Sequence, residues 1–336
     1  MASAESGMTI AVTGPTGTLG LGLIPLLQAD DRVRRIVGVA RRPFDPMTHG
    51  WSKMVYQQGD VRDPASLESA FRAADAVIHL AFLVMDDAAA ETMRKINVDG
   101  TVNAFRAALA AGARRFVHAS SVAAYGFHPD NPIGMTEQWP TRPAAKLSYA
   151  RQKAELELLL RDEATAHPEI ALYVLRPSIV VGPHTLGAKN PLPGPLTGIA
   201  QRLVGLAGRL RLPLLVPVFP FQLVHDQDVG QALLLCAVGA GPPGVYNIAG
   251  DDVLSTVDLA AELGWRPLPM PAGLMRSTAR AVSALPSLPC TPSVAQWIEV
   301  VSHPAIMEVS KAKRELGWQP RYTARQALRE ALRQIR

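Results

Sequence analysis

An α/β fold built on a doubly wound parallel sheet is predicted by three features of this 336-residue sequence. Short β-branched runs alternate with helical patterns through the first half. A glycine-rich turn separates the first such run from the first helical stretch. Beyond Gly182 the texture changes, with prolines at 183, 191, 193 and 195 and again at 267, 269, 271, 286, 289 and 292.

The predicted strands are TIAVTG (9–14), RIVGVAR (35–41), MVYQQGD (54–60), AVIHLA (76–81), RFVHASS (115–121) and LYVLRPSIVVG (172–182). Helical patterns such as LGLIPLLQAD, PASLESAFRAA and GTVNAFRAALAAG lie between them. This order implies parallel strands with crossover helices, and the nearly continuous apolar strands imply helices on both faces. The proline-rich remainder cannot form long regular elements. The expected domains are therefore a dinucleotide-binding domain over 1–182, rejoined by 224–250, and a smaller, loop-rich C-terminal substrate domain over 183–223 and 251–336. An apolar helix is expected at 198–210.

Composition narrows the class. Hydrophobic residues make up 48% and charged residues 19%, as in an ordinary globular chain. Cys236 and Cys290 are too few for a disulfide framework, which fits a reducing, cytoplasmic setting. No signal peptide is read at the N-terminus. The apolar run 212–224 is too short to span a bilayer, so no membrane association is expected. The net charge of +5 is read as an arginine-rich surface, because no basic run or nucleic-acid motif accompanies it. The expected partner is a small-molecule substrate, with a homodimer allowed.

The glycine turn is Thr13-Gly14-Pro15-Thr16-Gly17-Thr18-Leu19-Gly20. Glycines here let the backbone turn sharply and approach a diphosphate at the helix N-terminus. This defines a Rossmann-type nucleotide site. At the end of the second predicted strand, where an acidic residue would hold an NAD ribose, stand Ala40, Arg41 and Arg42. Guanidinium groups suit a 2′-phosphate, so NADP(H) is preferred and NAD(H) is the alternative. Solvated surface charge is the competing reading of both arginines. Asp60 ends the third strand beside Val61, placed to accept from an adenine amino group. Asp63, followed by Pro64, is the better N-cap for the next helix.

Tyr149 and Lys153 are four residues apart and share one helix face. A nearby ammonium, aided by the positive nicotinamide ring, lowers a tyrosine pKa, so Tyr149 can exchange a proton with a carbinol oxygen as hydride moves. Ser121, at a strand end, is placed to hold the same oxygen. Gly14, Arg41, Asp60, Ala81, Ser121 and Ser178 all fall at or just beyond carboxyl ends of predicted strands, where open parallel sheets bind ligands. His79 and His118 are read as core residues without metal-ligand spacing, and no metal is expected. Glu137 is a weak candidate acid, and Trp297 and Trp318 are read as packing residues.

Ordered motifs run nearly end to end: TGPTGTLG (13–20), GDVRD (59–63), VIHLA (77–81), NVDGT (97–101), HASSVAAYG (118–126), YARQK (149–153), LRPSIVVGP (175–183), VHDQDVGQAL (224–233), VYNIAG (245–250) and AKRELGWQP (312–320). In these the chain resembles the extended short-chain dehydrogenase/reductase family, also called the NAD-dependent epimerase/dehydratase family. The resemblance implies catalytic roles for Ser121, Tyr149, Lys153 and Asn97. It implies cofactor contacts from Gly14, Thr16, Gly17, Thr18, Leu19, Gly20, Arg41, Arg42, Asp60, Val61, Leu80, Ala81, Phe82, Ala119, Tyr149, Lys153, Pro177, Ser178 and Ile179. The expected substrate contacts are Phe82, Leu83, Ser121, Val122, His184 and Phe221.

Two departures bear on chemistry. Val122 and Ala123 stand where sugar-nucleotide dehydratases resembling this chain carry an Asp-Glu pair. Phe221 stands where sugar-nucleotide enzymes place an arginine for the substrate diphosphate. The expected function is therefore NADP(H)-dependent ketone or aldehyde reduction, or alcohol oxidation, on a fairly apolar molecule. Nucleotide-sugar epimerisation is the alternative.

Overall fold

The computed structural model describes residues 7–84, 90–145, 147–185, 213–270 and 303–333. The helix expected at 198–210 lies outside these residues, as do Cys290 and Trp297.

Seven strands form the main sheet: β1 (Met8–Thr13), β2 (Val33–Ala40), β3 (Met54–Gln58), β4 (Ala76–His79), β5 (Arg115–Ala119), β6 (Ala171–Pro177) and β10 (Gly244–Ile248). Their spatial order is β10-β6-β5-β4-β1-β2-β3, and every pairing is parallel. The sheet is thus doubly wound outward from β1, the Rossmann order.

Alternation along each strand sorts the two cores. On one face Ile10, Val12, Ile36 and Ile78 pack with Leu23, Ile24 and Leu27 of α1 (Thr18–Ala29). Val229, Ala232 and Leu233 of α6 (Asp226–Val238) complete that layer. On the other face Ala11, Val37, Val77 and Phe116 pack with Leu67 and Phe71 of α2 (Pro64–Phe71). Phe105 of α4 (Gly100–Ala110) and Leu160 of α5 (Ser148–Ala166) join them. A short helix α3 (Ala90–Arg94) leads into a π-helical turn, Lys95–Asp99, before α4. Asp63 caps α2 by accepting from the Ala65 amide, with Pro64 in the first position.

The stretch expected as one strand over 172–182 is two. β6 stays in the main sheet through Pro177, and β7 (Ile179–Val181) leaves it for a three-stranded sheet of order β11-β9-β7. The break follows from Pro177, which has no N–H to continue a ladder. The Ser178 amide makes a closing bond to the Ile248 carbonyl at 2.8 Å. In the small sheet β9 (Pro220–His225) runs parallel to β7 and antiparallel to β11 (Val253–Ser255). Elsewhere β8 (Pro213–Val216) pairs with β12 (Arg266–Pro269). Of three further helices, α7 (Thr256–Glu262) packs on β8, β11 and β12, α9 (Ala324–Arg333) on β7, β9 and β11, and α8 (Ser310–Leu316) on β10 and α6. Trp318 is fully buried and donates its indole N–H to the Asp228 carbonyl at 2.8 Å.

α1 and α6 touch backbone to backbone. A Cβ on Gly230 would lie 2.6 Å from the Gly22 carbonyl oxygen, and one on Gly22 would lie 2.7 Å from that of Asp226. No flexible side chain is there to yield. Gly230→Ala is therefore expected to lower stability by about 1–3 kcal/mol, as overpacking does. Chemical denaturation of the variant against wild type measures it, and an unchanged midpoint would contradict the close crossing.

Candidate active site

At the carboxyl edge of the main sheet a cleft of about 540 Å³ runs from the glycine turn past the ends of β4 and β5 to Tyr149, Lys153 and Pro177–Val180. Gly14 adopts φ 69°, and a Cβ on it would stand 3.1 Å from the Ala81 amide nitrogen. The positive φ and the close approach of the β4 exit together favour glycine here. Gly17 gives α1 no side-chain cap, and Thr18, Leu19 and Gly20 line the cleft. Uncapped amides at a helix N-terminus suit a diphosphate, so the residues present fit a dinucleotide.

Thr13 and His79 fix the floor. The Thr13 hydroxyl oxygen accepts from the amides of Leu80 (3.1 Å) and Ala81 (3.2 Å). Its own proton then goes to His79 Nδ1, 3.0 Å away. On the far side Thr101 donates to the Asn97 carbonyl, so His79 Nε2 must donate to the Thr101 oxygen, 3.1 Å away. The partners therefore fix the neutral Nε2–H tautomer. Burial and the Lys153 charge agree, holding the imidazole pKa down to about 3. His118 lines the cleft beside it, buried, with no hydrogen-bond partner for either ring nitrogen among the described residues. Its pKa is pushed well below the usual value by burial, with Lys153 and His79 adding to the effect.

Tyr149 opens α5, and Lys153 follows one turn later. Ser121 caps the short 3₁₀ turn Val122–Ala124, accepting from the Ala123 amide at 3.2 Å, and its hydroxyl lines the cleft together with Tyr149. Lys153 is buried. Its Nζ donates to the Ala119 carbonyl at 2.6 Å and stands 3.6 Å from the centre of the Phe82 ring. Phe82 meets Tyr149 edge-on, with centroids 5.7 Å apart.

The Lys153 part of the expected lowering of the Tyr149 pKa is not what this arrangement gives. Burial raises the phenol pKa, with only the neighbouring Ser121 hydroxyl opposing it. The reason is geometric: the ammonium is turned to Ala119 and Phe82 and lies 5.8 Å from the Tyr149 ring centre. Burial also lowers Lys153 itself from 10.5 to about 7, with Glu157 pulling the other way.

Asn97 does not line the cleft. Its amide holds the Leu83 backbone through both atoms (2.8 and 2.9 Å) and donates to Gln152 on α5 at 2.8 Å. It braces the β4 exit rather than meeting a reacting atom, and Leu83 is held by this clamp. Asp60 is engaged by Arg62 at 2.6 Å, whose hydrogen bonds keep its carboxyl below the usual range. Arg41 and Arg42 are exposed just past β2, outside the main cleft. His184 turns its Nδ1 to the buried Asp226 at 2.9 Å, away from the main cleft. Phe221 lines a smaller adjoining cavity with Val122, Phe127, Ser178 and Ile179. Glu137 accepts from the Asn247 amide at 2.9 Å, a structural use. Leu80, Phe82, Ala119, Ser121, Val122, Pro177, Ser178 and Ile179 do line the cleft; Thr16, Val61 and Ala81 do not.

Sequence reasoning missed the polar layer beneath the site: Ser120, Glu157 and Arg176. Ser120 donates to Glu157 at 2.5 Å, and Arg176 grips both Glu157 oxygens. The signal available was spacing, since Glu157 continues the four-residue interval of Tyr149 and Lys153.

The sheet order, the glycine turn and the Ser-Tyr-Lys cleft define a Rossmann-type, dinucleotide-binding α/β enzyme. Residues 10–249 match the model of the NAD dependent epimerase/dehydratase family, and the chain belongs to that family. An uncharacterized protein of Mycobacterium tuberculosis is 26% identical over 334 residues, spanning 96% of this chain and 83% of that protein. Sterol demethylase protein B of Methylococcus capsulatus is 32% identical over 179 residues, 52% of each chain. Among solved structures, the Bordetella bronchiseptica enzyme WbmG in complex with NAD and UDP superposes with a TM-score of 0.70 at 19% identity, covering 99% of this chain and 96% of that one.

The depressed Lys153 pKa has a consequence for stability. An unfolded lysine binds its proton below about 10.4, whereas the folded one does so only below about 7. The destabilisation is thus complete below about 7 and fades as pH rises towards the unfolded value. Lys153→Met is expected to raise the melting temperature of the cofactor-free protein at pH 7 and to lose that advantage near pH 10. Calorimetry at both pH values checks it; an equal gain at both would contradict a charge origin.

Proposed function

We propose that this chain is an NADP(H)-dependent oxidoreductase that interconverts a ketone or aldehyde with its alcohol on a fairly apolar molecule. The observation that carries the proposal is the presence of Ser121 and Tyr149 beside buried Lys153, in a cleft whose lining includes the apolar side chains of Phe82, Val84, Val122, Phe127, Ile179 and Val180. Bound in the cleft, a nicotinamide dinucleotide supplies the hydride acceptor and donor. Tyr149, kept as a phenol by burial, gives its proton to the carbonyl oxygen during reduction, and Ser121 holds that oxygen in line. The raised pKa favours reduction near neutrality, whereas oxidation, which needs the phenolate, gains as pH rises.

Arg41 and Arg42 support the NADP(H) preference, since both are exposed past the end of β2, where the adenosine ribose of a Rossmann cofactor lies. Phe221 supports an apolar substrate, because a phenyl ring cannot neutralise a diphosphate. The partial likeness to sterol demethylase protein B points the same way. A second reading, nucleotide-sugar epimerisation, is favoured by the fold's likeness to WbmG, which was solved with UDP.

A turnover panel of apolar ketones and UDP- or dTDP-sugars decides between the two. NADPH-dependent ketone reduction is expected, falling ~10²–10⁴-fold in Tyr149→Phe with cofactor binding retained. Conversion of a nucleotide sugar to its epimer would establish the second reading. For the cofactor, titration of NADPH and NADH against wild type and Arg41→Ala is expected to show tighter NADPH binding by ~1–3 kcal/mol, reduced in the variant. Equal wild-type affinities would remove the NADP(H) assignment.

A further inference from the structure

We propose that Glu157 is a positioning residue for the active site, whose carboxylate, fixed by Arg176 and Ser120, seats the catalytic helix and supplies the counter-charge to Lys153. This deepens the reading of Lys153 as the partner of Tyr149 and rests on it.

The geometry places one carboxylate among three elements that carry the cleft. Glu157 lies on α5 one turn beyond Lys153, which lies one turn beyond Tyr149. Ser120, which donates to Glu157 at 2.5 Å, immediately precedes Ser121. Arg176 on β6 immediately precedes Pro177 and Ser178, which line the cleft. The Arg176 and Glu157 side chains are only 6% and 7% exposed. Arg176 Nε stands 3.0 and 3.1 Å from the two carboxylate oxygens, and Nη2 lies 2.5 Å from one of them. The guanidinium is held further by the Glu137 carbonyl (3.3 Å) and by the Tyr125 ring, 4.5 Å from its centre. Tyr125 in turn bonds Asn247 at 2.8 Å. A fork-to-fork pair with every neighbour bonded cannot slide, so Ser121, Tyr149 and Pro177 are held in one register.

The second role follows from what surrounds Lys153. On α5 Tyr149 lies one turn before it, with its ring centre 5.8 Å from Nζ, and Glu157 one turn after; His79 of β4 and His118 of β5 line the same cleft, and Arg176 of β6 pairs with Glu157. Both histidines are neutral and buried. Among the described residues, Glu157 is the group that raises the lysine against its burial. A merely structural ion pair would let Lys153 titrate alike whichever partner is removed. A counter-charge would not.

Competitive acetylation of the full-length protein with acetic anhydride, read at Lys153 by mass spectrometry from pH 5 to 11, separates the two. Glu157→Gln keeps the hydrogen bond from Ser120 and is expected to lower the Lys153 midpoint by about one unit or more. Arg176→Met, which breaks the same pair but leaves the carboxylate, is expected to raise it. Shifts in the same direction, or none, would overturn the proposal. Should either single variant fail to fold, Glu157→Gln combined with Arg176→Met leaves no charge of the pair buried and is expected to lower the midpoint. An unchanged midpoint in that protein would overturn the proposal equally. The labelling needs no substrate, so absent ketone turnover in wild type would count against the proposed function alone.

Discussion

Parallel pairing of seven strands is the constraint from which the site follows. Because every main-sheet strand runs the same way, every carboxyl end arrives at one edge, and the loops that leave them must converge there. The same pairing requires helices on both faces, since no face of such a sheet is left to water. That requirement is tightest between α1 and α6. There two glycines, Gly22 and Gly230, let the backbones meet, and the crossing places the first turn of α1 at the cleft.

Convergence brings polar groups under the cleft floor, where each must find a partner. The structure does so with two chains of bonds. Thr13, His79, Thr101 and Asn97 tie β1 and β4 to α4 and its π-helical entry. Ser120, Glu157, Arg176, Tyr125 and Asn247 tie β5, α5, β6 and β10. The floor is therefore held by bonds made within the protein itself. His118 stands apart, buried at the cleft with both ring nitrogens lacking partners among the described residues.

Burial dominates the electrostatics of Tyr149 and Lys153. It lifts the Tyr149 phenol and depresses the Lys153 ammonium, moving each towards its neutral form. Spacing reports that Tyr149 and Lys153 share a helix face and not where the charged atom points, and the ammonium is turned to Ala119 and Phe82.

The sequence by itself determined the doubly wound sheet and the glycine turn, because hydrophobic period and glycine placement are local signals. It also placed Ser121, Tyr149 and Lys153 together: a strand end and a four-residue helical interval suffice to bring them to one edge. Tertiary structure decided what depends on partners distant in the chain. The break at Pro177 needed the Ile248 carbonyl to show where the ladder stops. Asn97 became a brace because Leu83 and Gln152 fold against it, and His184 turned from the main cleft because Asp226 lies beside it. Arg176 read as part of an apolar strand until Glu157 met it from 19 residues away. Side-chain direction and charge pairing are set by contacts across the fold, and no local pattern in the chain encodes them.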